Sequence, residues 1–131
     1  MKATELRIGN YIKDQGGKTL RIDWFERDKV CQQMMIGVME VHPMTEHFDM
    51  AKPIPLTEEW LLKLGFMKKG SNDNGIVFEN PNSVGLWIME ENPYERPNEF
   101  YLDEYYDTKI YYVHQLQNLY FALTNTELIL K

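Results

Sequence analysis

Residues 110–126 contain no Asp, Glu, Lys or Arg, yet a helix drawn through them has a polar side as well as an apolar one. In "YVHQLQNLYFALT" (112–124), Val113, Leu116, Leu119, Tyr120 and Leu123 fall within about a third of the circumference at about 100° per residue. That stripe predicts a helix packed on a sheet. His114, Gln117 and Phe121 stack along a second line, spaced i, i+3 and i+7. A surface helix ordinarily carries Lys and Glu on such a side, so their absence implies that this side is largely covered too. Two coverings fit. Another part of the chain could lie there, with His114 and Gln117 making structural hydrogen bonds. Alternatively, His114, Gln117 and Phe121 form a contact face for a partner or a second copy, since interface cores are poor in charge and rich in aromatics.

A second segment is legible residue by residue. In "PIPLTEEWLLKLGF", Pro53 and Pro55 hold the approach extended, Thr57 can cap a helix, and Glu58 and Glu59 place negative charge by its free amides. Leu56 and Leu61 fit a hydrophobic staple across that cap. Gly65 can take the left-handed conformation while Phe66 folds back on Leu61. The helix is short, about two turns, and its apolar side is Trp60, Leu61 and Leu64.

The remaining segments read as strands. "LRIGNYIK", "TLRIDWF" and "QQMMIGVMEVH" alternate with decreasing regularity; "DQGGK" is a turn, and Gly37 marks a bend. "ELRIGNYI" has the look of the first strand of an SH3-like barrel. After a polar turn, "KKGSNDNG", come "IVFEN" and "SVGLWIME" joined by "NPNS", then "EFYLDEYY" and "KIYYV" paired around "DT". The expected fold is α+β. A strand-rich N-terminal lobe (1–56), SH3-like in its opening, precedes a lobe (57–131) made of the short helix, an antiparallel sheet and the C-terminal helix, the two sharing one core.

Charge narrows the function classes. The segment 90–107 holds seven acids (Glu90, Glu91, Glu95, Glu99, Asp103, Glu104, Asp107) against Arg96, which accounts for the whole net charge of −6. Such a field repels polyphosphate and disfavours a nucleic-acid binder, and the first lobe offers no excess of base to offset it. Tyr94, Tyr101, Tyr105, Tyr106, Tyr111, Tyr112 and Tyr120 crowd the same region. They suit cross-strand pairing, and together with Glu99, Asp103 and Glu104 they could present an acidic, tyrosine-rich surface to a basic protein partner. A single cysteine, Cys31, allows no intrachain disulfide and is expected as a structural thiol. No apolar run reaches the roughly 20 residues that span a bilayer, and "MKATELRIGN" lacks a secretory pattern, so a cytoplasmic protein is expected.

Signals for chemistry are weak. "HPMTEH" places His42 and His47 near Glu46, Met44 and Met50, but the spacing matches no standard closed metal site. The acid pairs lie next to turns, where carboxylates are ordinarily solvated. "GSNDNG" lacks the context of a phosphate loop. No catalytic residue, metal or cofactor is implied. The leading expectation is a non-enzymatic binding or accessory protein. A small enzyme built around a pocket and a perturbed group such as His114 is the alternative, with a nucleic-acid module third.

"ELRIGNY", "PIPLTEEWLLKLGF" and "YVHQLQNLYFALT", in this order and spacing, resemble a family of short, functionally uncharacterised proteins encoded in Bacteroidetes genomes, their phages and mobile elements. That family commonly has glycine after "ALT", where this chain has Asn125, a residue that also tolerates the left-handed conformation ending a helix. The resemblance implies a bacterial cytoplasm and a phage or mobile-element setting. It transfers no functional residue.

Overall fold

The computed structural model describes residues 5–36, 39–72, 75–83, 86–91, 93–102 and 108–131. The fold is α+β. The elements are β1 (Tyr11–Lys13), β2 (Thr19–Arg21), β3 (Trp24–Glu26), β4 (Lys29–Ile36), β5 (Met39–His47), α1 (Glu58–Lys63), β6 (Met67–Asn72), β7 (Gly75–Glu79), β8 (Trp87–Glu90), β9 (Phe100–Leu102), β10 (Lys109–Ile110) and α2 (Val113–Thr124). The chain divides into two compact units, Met1–Ile54 with Val113–Asn118 and Pro55–Tyr112 with Leu119–Lys131. The two halves of α2 thus belong to different units.

In the first unit, β1 pairs with β2 around the turn at "DQGGK", where Gly17 has φ 88° and the Asp14 carboxylate accepts the Lys18 N–H at 2.8 Å. Strands β3, β4 and β5 form a second antiparallel sheet, whose register shifts between Gln32 and Met34. Among the described residues these are two small sheets and not one closed barrel. Gly37, expected at a bend, lies outside the described residues. "ELRIGNYI" also departs from expectation, since its strand begins only at Tyr11. Gly9 takes φ 95° and the Asn10 N–H bonds back to the Arg7 carbonyl at 3.1 Å, so residues 7–10 turn. Leu6 is consequently buried while Ile8 is 57 % exposed. "TLRIDWF" divides into β2 and β3 because the backbone changes partners: Ile22 N–H bonds the Asn10 carbonyl and Asp23 N–H the Cys31 carbonyl. Leu6, Ile12, Leu20, Ile22, Val30 and Ala51 form this unit's core, with Met44 and Phe48 packed against it. Cys31 is buried, and that burial pushes its thiol above the usual range.

In the second unit, α1 forms as its sequence predicts. The Thr57 hydroxyl accepts the Trp60 N–H at 3.2 Å, and Leu56 and Leu61 are both buried. At the other end Gly65 has φ 93°, Gly65 N–H reaches the Leu62 carbonyl at 3.1 Å, and Phe66 N–H reaches the Leu61 carbonyl at 2.9 Å. These are the two bonds of a Schellman closure. The sheet is antiparallel throughout, in the order β10-β9-β8-β7-β6. Phe78, Ile88, Phe100 and Ile110 share its buried face, where Phe78 and Phe100 meet edge to face at 6.2 Å. Phe66 meets Tyr120 of α2 in the same geometry, also at 6.2 Å.

Most of "KKGSNDNG", read as a turn, is strand β6. Lys68, Lys69 and Ser71 stand exposed because β6 is an edge strand, and pairing with β7 engages its backbone whatever those side chains are. α2 ends at Asn125, which adopts φ 57° and bonds the Phe121 carbonyl through its N–H at 2.7 Å. The apolar stripe of α2 stops a turn earlier than expected. Val113, Leu116 and Tyr120 are buried and Leu119 is half-buried, but Leu123 is 55 % exposed.

Candidate functional site

The second side of α2 is covered by the chain itself where His114 and Gln117 lie. Both are buried, Gln117 completely. Gln117 Oε1 accepts the Tyr11 N–H at 2.9 Å and Nε2 donates to the Gly9 carbonyl at 2.9 Å. One residue further along α2, Asn118 Oδ1 accepts from Asn10 Nδ2 at 2.9 Å and from an Arg7 guanidinium nitrogen at 3.1 Å, while Asn118 Nδ2 donates to the Glu5 carbonyl at 3.0 Å. Amides suit this task because one side chain offers both an acceptor and a donor to neighbouring backbone groups of opposite kind. The charge-free helix side is therefore buried within the chain at these two positions, and Gln117 there makes hydrogen bonds to the backbone. Phe121 is half-buried and belongs to the other unit.

Burial pushes the His114 imidazole below its ordinary value of 6.5, with the Glu5 carboxylate opposing the shift. The neutral ring is the form that fits the fold. Stability linked to His114 is accordingly complete above pH 6.5 and is lost as pH falls below it, because the unfolded chain takes up the proton first. Urea midpoints at several pH values between about 5 and 8 should decline on the acid side, and His114→Gln should remove that part of the slope.

The acidic segment is less open than its composition suggests. Glu90 is buried, its carboxylate accepting the Asn98 N–H at 2.8 Å. Glu99 sits 3.2 Å from the Lys109 ammonium, which it holds above its usual range through that hydrogen bond, and 3.8 Å from Arg96. Tyr94 is 97 % exposed. Asp103 and Glu104 lie outside the described residues, as do Tyr105, Tyr106 and Asp107. His47, from "HPMTEH", is exposed and 3.2 Å from Asp28. No group of three or more His, Cys, Asp or Glu among the described residues is placed to hold a metal ion.

Sequence reasoning passed over the second face of the five-stranded sheet. Ladder partners share a face, so Val77 lies beside Met89, Glu79 beside Trp87, and Met89 beside Tyr101. Lys69, Gly70, Ser71, Val77, Glu79, Trp87 and Met89 line a depression of about 350 Å³ there. Its chemistry centres on Glu79. The side chain is only 9 % exposed, and Oε2 accepts the Trp87 indole N–H at 2.6 Å, while the Lys69 ammonium stands 3.6 Å from Oε1. Lys69 is aimed here by a β-bulge: Lys68 opposes Phe78 and Gly70 opposes Val77, which leaves Lys69 as the extra residue. Val77 and Met89 supply apolar walls, and Trp87 is 40 % exposed. The sequence did hold a signal, since "IVFEN" and "LWIME" put an acid and a tryptophan at matching alternation. Only the register shows that they are neighbours. His114 does not line this depression.

No protein-family model, curated protein or solved structure matches this chain. Among the described residues no helix is long and apolar enough to cross a membrane.

Proposed function

We propose that this chain is a non-enzymatic binding protein that receives a protein partner on the second face of its five-stranded sheet. The observation that carries this reading is the pairing of a half-exposed tryptophan with a nearly buried carboxylate in one depression. Tryptophan anchors dominate binding energy when they sit in a pocket edged by polar groups. The described lining residues bring together one carboxylate, one ammonium and an indole, a set suited to recognising a cationic group beside an apolar wall. The resemblance to short phage and mobile-element proteins, which carries no activity with it, supports a bacterial cytoplasm as the setting.

Capture of partners from a native-host lysate tests the reading. Trp87→Ala, shown by its thermal melt to remain folded at the assay temperature, should weaken recovery of the specific partner by about 30-fold. Undiminished recovery by that variant would overturn it. A parallel Glu99→Lys variant addresses the acidic segment: if it alone loses the partner, the acidic, tyrosine-rich surface with Asp103 and Glu104 is the contact instead. Loss of association with Phe121→Asp alone would place the contact, or a contact between copies, on α2.

A further inference from the structure

We propose that the depression beside Trp87 is a receptor for an arginine side chain of the partner, with Lys69 occupying the charge position until the partner arrives. The inference rests on the sheet-face reading above and names the chemistry that the face selects.

Glu79 fixes the sign of the ligand's charge. A carboxylate 9 % exposed requires compensating cations or strong donors, and Trp87 and Lys69 contribute to this unequally. The indole N–H at 2.6 Å is a short, directed bond to Oε2. The Lys69 contact at 3.6 Å to Oε1 is longer than a hydrogen bond, and its side chain is 59 % exposed. The ammonium is thus near the carboxylate without being seated on it. A lysine on an edge strand can swing into solvent at small cost.

The shape of the site selects among cations. Trp87 offers an exposed ring beside the carboxylate, and Val77 and Met89 provide apolar surface next to it. A planar guanidinium is weakly hydrated, stacks on an indole face and delivers an in-plane N–H to a carboxylate oxygen in one pose. An ammonium is strongly hydrated and lacks the stacking surface. The depression, at about 350 Å³, has room for such a side chain with Lys69 withdrawn. The bulge gives Lys69 its role: it holds a positive charge at the mouth of the site and leaves that charge displaceable.

The test follows the Trp87 indole N–H resonance, assigned by its loss in Trp87→Phe, during titration with three capped tripeptides, Gly-Arg-Gly, Gly-Lys-Gly and Gly-citrulline-Gly. The arginine peptide should shift the resonance saturably, with a dissociation constant on the order of a millimolar. The lysine peptide should bind about fivefold more weakly, and the citrulline peptide should not saturate. Glu79→Gln keeps an acceptor for the indole and should lose at least about tenfold in arginine affinity, whereas Lys69→Gln should gain about threefold. Thermal melts of each variant show that the fold persists. Equal binding of arginine and citrulline peptides, or an unmoved indole resonance, overturns the proposal. Agmatine binding about tenfold tighter than the peptide would also overturn it, in favour of a free small cation. If lysate capture depends on Trp87 while the arginine peptide fails, the guanidinium inference falls and the sheet-face reading stands. If the peptide binds but capture ignores Trp87, the reading falls instead.

Discussion

Gln117→Glu should lower the free energy of unfolding by about 3–5 kcal/mol at neutral pH, measured by urea denaturation. The substitution changes almost no volume. It keeps an acceptor for the Tyr11 N–H but replaces the amide that donates to the Gly9 carbonyl at 2.9 Å with a second oxygen, in a position with no solvent exposure. A charge placed there has lost its water, and the nearest carbonyl repels it. The introduced carboxylate therefore has its pKa raised in the folded state, and its protonated form regains a donor for Gly9. The destabilisation should shrink as the pH is lowered towards that raised value. Gln117→Ala, which deletes the side chain's hydrogen bonds and leaves a void, should cost about 2–4 kcal/mol with no such pH dependence. Neutral behaviour of Gln117→Glu at pH 7 would show that α2 is not covered as described.

The second large effect is expected at Gly75, the first residue of β7. Its φ is 135°, in a region that side chains rarely adopt, and a Cβ built on it would overlap the Glu90 carbonyl oxygen and lie 3.1 Å from the Glu91 Cα. Those atoms are backbone, held by the pairing of Ile76 with Glu90, so no side chain can swing aside. Gly75→Ala should lose about 3 kcal/mol or more, or fail to accumulate as folded protein. Gly17→Ala is the informative comparison. Its φ is 88° and the added Cβ meets nothing within 4 Å, so only the conformational cost of about 1 kcal/mol applies. Similar melting temperatures for the two variants would refute the steric argument.

Why some elements were legible and others not follows from where their information resides. α1 is written locally: the Thr57 hydroxyl and the Gly65 and Phe66 N–H groups each act on atoms within five residues of themselves, so the sequence carries the whole motif. The extent of α2 was equally plain from its stripe. What its polar side does was not, because Gln117 serves Gly9 and Tyr11, over a hundred residues away in sequence. β6 was misread for a related reason. An edge strand needs no alternation of apolar residues when its ladder supplies the stability, so Lys68, Lys69 and Gly70 look like a loop. The candidate site had the least local signature of all, since Glu79 and Trp87 become a pair only through the cross-strand register and Lys69 only through a bulge.

The rim formed by β6 also bears on behaviour at high concentration. A terminal strand with open amides and carbonyls is a template on which a second molecule could extend the sheet, the first step towards a fibre. Here the adjacent cations Lys68 and Lys69 would meet their own kind in a symmetric junction. The extra residue between Lys68 and Gly70 also puts the two hydrogen-bonding patterns out of step. The same lysine that waits in front of a carboxylate thus helps keep one molecule from seeding assembly of the next.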